Sequence, residues 1–176
     1  EEDARVLAET REHHSKLPGI FLDPGITITS DIAETIGHAD YVVCAVPAQT
    51  MRSTMETLSA AVDKSEIGKM RGWIIVAKGI ECTTLKLMSE VVLDVVPDIQ
   101  SSKVVVLSGP SHAEEVSRKI PTTVVAASSN LELAEHIQRE FSTAFFRIYT
   151  NSDITGVELA GSIKNEIGRA SCRERV

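Results

Sequence analysis

The sequence predicts an α/β fold in which helices cover both faces of a doubly wound, mostly parallel β-sheet. Short runs of β-branched residues alternate along the chain with stretches of helical periodicity. These runs are apolar throughout instead of alternating between apolar and polar residues, which is typical of strands covered on both faces. With 176 residues, of which 43% are hydrophobic and 24% charged, the chain has the size and composition of one globular domain.

Four units of a strand followed by a helix succeed one another in the sequence. In chain order they are YVVCAV (41–46) before a helix at about 49–62, WIIVAK (73–78) before 84–95, KVVVLS (103–108) before 111–119, and TTVVAAS (122–128) before 131–141. The charged opening EEDAR is expected to lie on the solvated face of a helix. Ligands of such sheets bind at the carboxyl ends of the strands, so the residues that follow each strand form the candidate site.

The first two predicted strands end at Pro47 and at the pair Lys78-Gly79. Proline stops a strand ladder, and the backbone after Pro47 is suited to line a flat cofactor ring. Lys78 leaves a buried strand with a flexible glycine behind it, so its ammonium group is placed to reach a polar ligand over the sheet edge. A plain strand terminator and a solvated lysine would explain the same residues, and those interpretations stay open.

The third strand is followed by SGPSHAEEV, in which Gly109 and Pro110 are expected to form a turn. Ser111 and Glu114 then match a capping box at the start of a helix. Such a helix start would direct free backbone N–H groups and a partial positive charge at a carbonyl, hydroxyl or phosphate oxygen. A helix cap without a ligand is the alternative.

The segment ITGVELAGSIKN (154–165) places one lysine on the small-residue face of a predicted helix. On a 3.6-residue repeat Lys164 shares a side with Val157, Ala160 and Gly161. An ammonium group directed into a close-packed crevice is partly desolvated and holds its proton less tightly. A second lysine beside it would weaken that hold further, and Lys78 is the candidate, although the sequence alone does not show that the two converge. Lys164 is thus a candidate acid/base catalyst, although a snorkelling lysine whose head reaches water is the alternative.

Composition and spacing argue against several other classes of protein. The five histidines have no partners at metal-ligand spacing, so no metal is predicted, and the cysteines Cys44, Cys82 and Cys172 are expected to be reduced. A net charge of −7 argues against a nucleic-acid surface. No apolar run is long enough to cross a bilayer and the acidic start does not resemble a signal peptide, so we expect a cytoplasmic protein.

Six segments in register resemble the NAD(P)-dependent glycerol-3-phosphate dehydrogenases of the bacterial type. They are LPGIFLDPGITITSD (17–31), VVCAVPAQ (42–49), VAKGIE (76–81), LSGPSHAEEV (107–116), PTTVVAAS (121–128) and FRIYTNSDITGVELAGSIKN (146–165). The resemblance implies that Lys164 gives and takes the proton at the substrate C2 oxygen. It also implies that Lys78, Gly109 and Ser111 hold the substrate together with Lys164. NAD or NADP would be the cofactor, touched by Lys78 and Ala113, with Pro47 as the third cofactor residue.

The same resemblance implies an incomplete Rossmann-like domain. Residues 1–150 would be a partial NAD(P)-binding domain without its first strand, glycine-rich turn and second strand, and 151–166 the start of a helical substrate domain. The last residues, IGRASCRERV (167–176), break the periodicity and are predicted to be a non-native tail translated from a sequencing adapter. The full-length enzyme would be a homodimer that reduces dihydroxyacetone phosphate for phospholipid synthesis, and the fragment itself would be inactive.

Two other functions remain as alternatives. One is a related β-hydroxyacid or ketopantoate-type reductase on a similar scaffold, which the LAGSIKN segment disfavours. The other is a non-catalytic nucleotide-binding module that has lost its dinucleotide turn.

Overall fold

A computed structural model of the chain describes the backbone of residues 2–37 and 39–173 and the side chains of residues 3–37 and 39–163. The strands are β1 (Tyr41–Cys44), β2 (Gly72–Ile75), β3 (Val104–Ser108), β4 (Thr122–Ala127) and β5 (Phe146–Asn151). The helices are α1 (Glu2–Thr10), α2 (Ile32–Ile36), α3 (Met51–Ala61), α4 (Lys64–Lys69), α5 (Met88–Val95), α6 (Ala113–Ser117), α7 (Leu131–Phe141) and α8 (Ile154–Arg173).

The strands form one five-stranded sheet in the order β1-β2-β3-β4-β5. β1 pairs with β2, β2 with β3 and β4 with β5 in parallel, whereas β3 and β4 are antiparallel. The predicted α/β class with a mostly parallel sheet is therefore confirmed.

The antiparallel pairing of β4 departs from a simple series of strand-helix crossovers. α6 has only five residues and spans about 7.5 Å, whereas a five-residue strand such as β3 spans about 16 Å. The helix in the connection from β3 to β4 is therefore too short to return the chain to the opposite end of the sheet, as a parallel β4 would require. The chain instead turns at the same edge, and Ser108 lies opposite Val125.

β5 is absent from the predicted strands although it pairs with β4 along its whole length. Its residues alternate between a buried Ile148 and exposed Arg147 and Tyr149, as expected of an edge strand that packs on one face only. An apolar run is therefore not the right signal for this strand.

Both faces of the sheet are covered by separate apolar clusters. Trp73, Ile75 and Val106 face a cluster that includes residues of α3 and α5. Ile74, Val105, Val124 and Ile148 face the other side with Ile137 of α7. Successive residues of β2 thus point into different cores, which is why this strand is apolar throughout.

The predicted helix bounds differ in how well they agree with the structure. α7 has the predicted bounds, but α5 begins at Met88 and not near 84. The preceding residues form a tight loop, in which the Glu81 backbone N–H donates to the Lys86 carbonyl at 2.9 Å. α1 confirms the predicted helix at the charged opening. In the described part of the chain, no helix is long and apolar enough to cross a membrane.

α8 follows β5 and packs against β3 and β4. It begins at Ile154 and its backbone continues to Arg173, through the segment predicted to be an adapter-derived tail. The side chains from Lys164 onward, Cys172 among them, lie outside the described residues. The domain boundaries and the origin of the tail remain predictions.

Candidate active site

Lys78 lies where the carboxyl ends of β2 and β3 meet. Its Nζ donates to the backbone carbonyl oxygen of Gly109 at 2.7 Å and to the hydroxyl oxygen of Ser111 at 3.2 Å. Neighbouring parallel strands bring their carboxyl ends to one edge of the sheet, and this explains how residues more than 30 positions apart converge. Three of the predicted site residues therefore form one cluster.

The capping box predicted for Ser111 and Glu114 is wrong. α6 begins only at Ala113, its N-cap position is occupied by His112, and no side chain caps it. Ser111 belongs to the preceding turn, where its backbone N–H donates to the Gly109 carbonyl at 2.9 Å and its hydroxyl meets Lys78. The hydroxyl therefore belongs to the lysine cluster, and the binding of a ligand oxygen at this turn remains a prediction.

Two glycines allow the backbone to approach closely around this cluster. A Cβ atom on Gly109 would lie 2.8 Å from both the Thr123 carbonyl oxygen and the Val124 Cα. A Cβ atom on Gly161 of α8 would collide with the hydroxyl oxygen of Ser108. Glycine at these positions therefore sets how closely β4 and α8 approach the end of β3.

A cavity of about 360 Å³ opens beside Lys78. Its wall on the side of α8 is formed by the small or apolar residues Val157, Ala160 and Gly161. Lys164 follows these residues by seven, four and three positions, so the helical repeat places its backbone next on the same face. The Lys164 side chain lies outside the described residues, and its role remains a prediction.

Lys78 also lines a second cavity, of about 550 Å³. Pro47, Ala48 and Gly79 line this cavity, and Ser162 of α8 contributes from another side. Gly79 has a φ of +147° and a Cβ there would lie 2.8 Å from the Cβ of Ala48, so the backbone reaches the cavity wall without a side chain. Ala113, predicted to touch the cofactor, is exposed at the start of α6 and is not among the lining residues of either cavity.

Side chains of α3 and the turn before it hold the loop that follows Lys78. The Gln49 side chain donates to the Ile80 carbonyl at 2.8 Å and accepts from the Cys82 backbone N–H at 3.1 Å. Arg52 binds both carboxylate oxygens of Glu81, at 2.8 and 3.0 Å. These residues were missed in the sequence because their partners lie about 30 positions away, with no local pattern to mark them.

The Arg52 clamp extends to a second carboxylate. Its Nη1 donates to Asp94 of α5 at 3.0 Å, and Lys86 approaches the other oxygen of Asp94 at 2.7 Å. The Arg52 guanidinium, followed by the Thr84 hydroxyl, holds the pKa of Glu81 below its usual range. Lys86, followed by Arg52, does the same for the pKa of Asp94.

Glu158 of α8 carries a buried carboxyl group that was also missed. It accepts from the Ser89 backbone N–H at 2.9 Å and from the Ser89 hydroxyl, although the two residues are 69 positions apart. Burial raises the pKa of Glu158, and the charge of Glu90 acts in the same direction. The contact joins α8 to the amino end of α5.

Cys44 and Cys82 are free thiols, and burial raises the pKa of Cys44 to about 12. Among the side chains that the structure describes, no group of three or more His, Cys, Asp or Glu residues is arranged to hold a metal ion.

A largely parallel sheet with helices on both faces, and with cavities at its strand ends, defines a Rossmann-like α/β domain. The sequence-family model described as the NAD-dependent glycerol-3-phosphate dehydrogenase N-terminus matches residues 1–134 of this chain. The chain belongs to this family of NAD- or NADP-dependent oxidoreductases.

Comparison with individual proteins gives the same family. A relative from Prosthecochloris aestuarii, named glycerol-3-phosphate dehydrogenase (NAD(P)+), is 49% identical over 168 residues, which cover 96% of this chain and 49% of the relative. The protein of the same name from Chlorobium phaeobacteroides is 49% identical over 172 residues, covering 97% of this chain and 49% of its own length. The chain thus spans about half the length of the curated relatives it matches.

A solved structure supports the fold. The crystal structure of glycerol-3-phosphate dehydrogenase from Coxiella burnetii superposes with a TM-score of 0.80 at 25% identity, over 93% of this chain and 48% of that one.

Proposed function

We propose that this chain carries the dinucleotide-binding and catalytic part of an sn-glycerol-3-phosphate dehydrogenase. The full-length enzyme would reduce dihydroxyacetone phosphate to sn-glycerol 3-phosphate with NADH or NADPH, in the cytoplasm and as a homodimer, for glycerophospholipid synthesis. Membership of the family supports this proposal over a ketopantoate-type reductase or a non-catalytic module. The observation that carries it is the position of Lys78 between two cavities at the strand ends.

The second cavity fits the nicotinamide end of the cofactor. Pro47 and Ala48 present an apolar wall. Gly79 has no side chain that would fill the cavity, so a flat ring can lie against its backbone. The sequence holds no GxGxxG turn for a pyrophosphate, so the fit concerns the nicotinamide end alone. When bound, NADH or NADPH supplies the hydride that reduces C2 of the ketone.

The first cavity suits the substrate. In our proposal the ammonium group of Lys78, fixed by the Gly109 carbonyl and the Ser111 hydroxyl, binds the polar end of the ketone. Lys164 then delivers a proton to the C2 oxygen as negative charge develops there, and takes a proton back in the reverse direction. Val157, Ala160 and Gly161 offer no competing polar side chains, so the wall of α8 leaves room for the substrate.

The substrate is tested by steady-state kinetics on the full-length enzyme that carries this chain. Dihydroxyacetone phosphate, ketopantoate and a β-keto acid are each offered with NADH and with NADPH, and oxidation of the cofactor is followed by absorbance. We expect dihydroxyacetone phosphate to give a kcat/KM at least about 10⁴-fold above the other two, because polar groups that pair with a phosphate are left unpaired by a ligand that has a carboxylate and no phosphate. Equal or higher kcat/KM for ketopantoate would overturn the proposal.

A further inference from the structure

Glu158 stands out because it is a carboxylate in a helix that otherwise packs through small and apolar residues. The residue is only 5% exposed, and its carboxylate accepts two hydrogen bonds from Ser89, one from the backbone N–H and one from the hydroxyl. Ser89 is the second residue of α5, where the backbone N–H has no partner inside its own helix. A carboxylate is the acceptor best suited to such an N–H, because the amino end of a helix carries a partial positive charge.

The contact restrains the position of α8 as a whole. Ile154 and Val157 pack against the apolar cluster that contains residues of α3 and α5. Apolar contacts are not directional, so they tolerate sliding and rotation of the helix. The two bonds from Ser89 are directional and fix Glu158 at one height and one rotation of the helix. The Ser162 hydroxyl, one turn later, donates to the Glu158 carbonyl at 2.9 Å and stays within the same helix.

Helical geometry relates the contact between Glu158 and Ser89, the anchor of α8, to the face of α8 that lines the cavity. Lys164 follows Glu158 by six residues, which corresponds to about 9 Å along the axis and about a third of a turn around it. The anchor therefore lies beside the face formed by Val157, Ala160 and Gly161, and not on it. A rotation of α8 about its axis would move the cavity wall and the backbone of Lys164 together.

We propose that Glu158 is a positioning residue for the reaction: by binding Ser89 it fixes the rotation and height of α8 and so the place from which Lys164 reaches the substrate. This inference rests on the proposed role of Lys164. Misplacing a catalytic group by about 1 Å lowers turnover by about 10²-fold, so a loosened anchor would affect kcat more than cofactor binding.

Two substitutions of Glu158 separate the effect of its hydrogen bonds to Ser89 from the effect of its negative charge. In Glu158→Gln the amide oxygen accepts from the Ser89 N–H, and the amide nitrogen donates to the Ser89 hydroxyl, so both contacts are kept without the charge. In Glu158→Ala both Ser89 groups lose their partner. Thr155→Ala, on an exposed position of the same helix, is the matched control.

The experiment measures kcat and KM of the full-length enzyme together with the dissociation constant for NADH. We expect Glu158→Ala to lower kcat about 10²-fold with little change in NADH binding, and Glu158→Gln to restore most of the turnover. Hydrogen exchange of the Ser89 amide and of the amides in 154–163 gives a readout without turnover. Both should lose protection in Glu158→Ala and keep it in Glu158→Gln and Thr155→Ala.

Two results would overturn the proposal. One is a Glu158→Ala variant with unchanged kcat, and the other is a Glu158→Gln variant as impaired as Glu158→Ala. If Glu158→Ala does not fold, Ser89→Ala takes its place, because it removes the hydroxyl donor and keeps the N–H; unchanged kcat in Ser89→Ala together with reduced kcat in Glu158→Gln then rejects the inference. A wild-type enzyme inactive on dihydroxyacetone phosphate, with protection of 154–163 still lost in Glu158→Ala, would reject the proposed function and leave the docking role standing.

Discussion

At the scale of single residues, the site depends on a glycine that lets the backbone of α8 approach the end of β3 more closely than a residue with a side chain would allow. Gly161 faces the Ser108 hydroxyl, and the neighbouring Ala160 and Val157 line the cavity beside Lys78. Glycine is therefore found where α8 meets the Ser108 side chain too closely for a Cβ atom.

Gly161→Ala tests this close approach. The added methyl group would collide with the Ser108 hydroxyl oxygen, so this buried hydroxyl must rotate or α8 must shift, and we expect the free energy of unfolding to fall by about 1–3 kcal/mol. Gly68→Ala is the matched control, because Gly68 lies inside α4 with nothing within 4 Å of a Cβ atom. It should stabilise the chain by up to about 1 kcal/mol. Urea unfolding of both variants measures this, and equal effects would contradict the close approach.

The buried carboxyl of Glu158 predicts a pH dependence of stability. Burial, followed in the same direction by the charge of Glu90, raises its pKa in the folded state above the ordinary value of 4.5. Folding then takes up a proton between the two pKa values, so the contribution is fully present below the unfolded pKa and is lost as the pH rises through the folded pKa. The stability of the wild type relative to Glu158→Gln should therefore increase as the pH falls from neutrality toward 4.5. A stability difference independent of pH, measured by urea unfolding, would contradict this.

At the scale of elements, the loop after Lys78 is held by α3. Gln49 and Arg52 bind the loop at Ile80, Glu81 and Cys82, and Arg52 continues to Asp94 of α5. The loop that leads away from the lysine cluster is thus tied to two helices of the core.

Arg52→Met is expected to loosen this loop. The substitution leaves the carboxylate of Glu81, only 5% exposed, without its cation, so both the melting temperature and the exchange protection of the Cys82 amide should fall. The double variant Arg52→Met, Glu81→Gln removes the uncompensated charge and should recover part of the loss. Lys69→Met is the control, because its pair with Glu66 is exposed. A single variant as stable as this control would show that the clamp contributes little.

The elements also show how far the sequence is informative. α7 and the strands around Val43, Ile74, Val105 and Val124 were predicted because their apolar patterns are local. The bounds of α6 and the direction of β4 were not, because they depend on the length of a connection and not on a pattern of residues.

The site divides in the same way. Lys78, Gly109 and Ser111 were found because each follows a strand, and strand ends of a parallel sheet converge. Glu158 was missed because its hydrogen-bond partner, Ser89, is 69 residues away in the sequence. A carboxylate in a helix gives no local sign that its partner is the amino end of another helix.

At the scale of the whole molecule, the chain joins two cavities through one lysine and spans about half the length of its curated relatives. The sheet supplies Lys78 and α8 supplies the face that leads to Lys164. In our proposal the two lysines act on one substrate from different elements, so catalysis depends on how α8 docks on the sheet.

The most direct test of this account is the turnover of Lys164→Ala in the full-length enzyme, measured with dihydroxyacetone phosphate and NADH. Removing a general acid costs about 10²–10⁴-fold in rate, so we expect kcat to fall by that factor while the dissociation constant for NADH changes little. Lys64→Ala, which removes a lysine whose side chain is 80% exposed, should leave both values unchanged. A Lys164→Ala enzyme with near wild-type kcat would contradict the central claim.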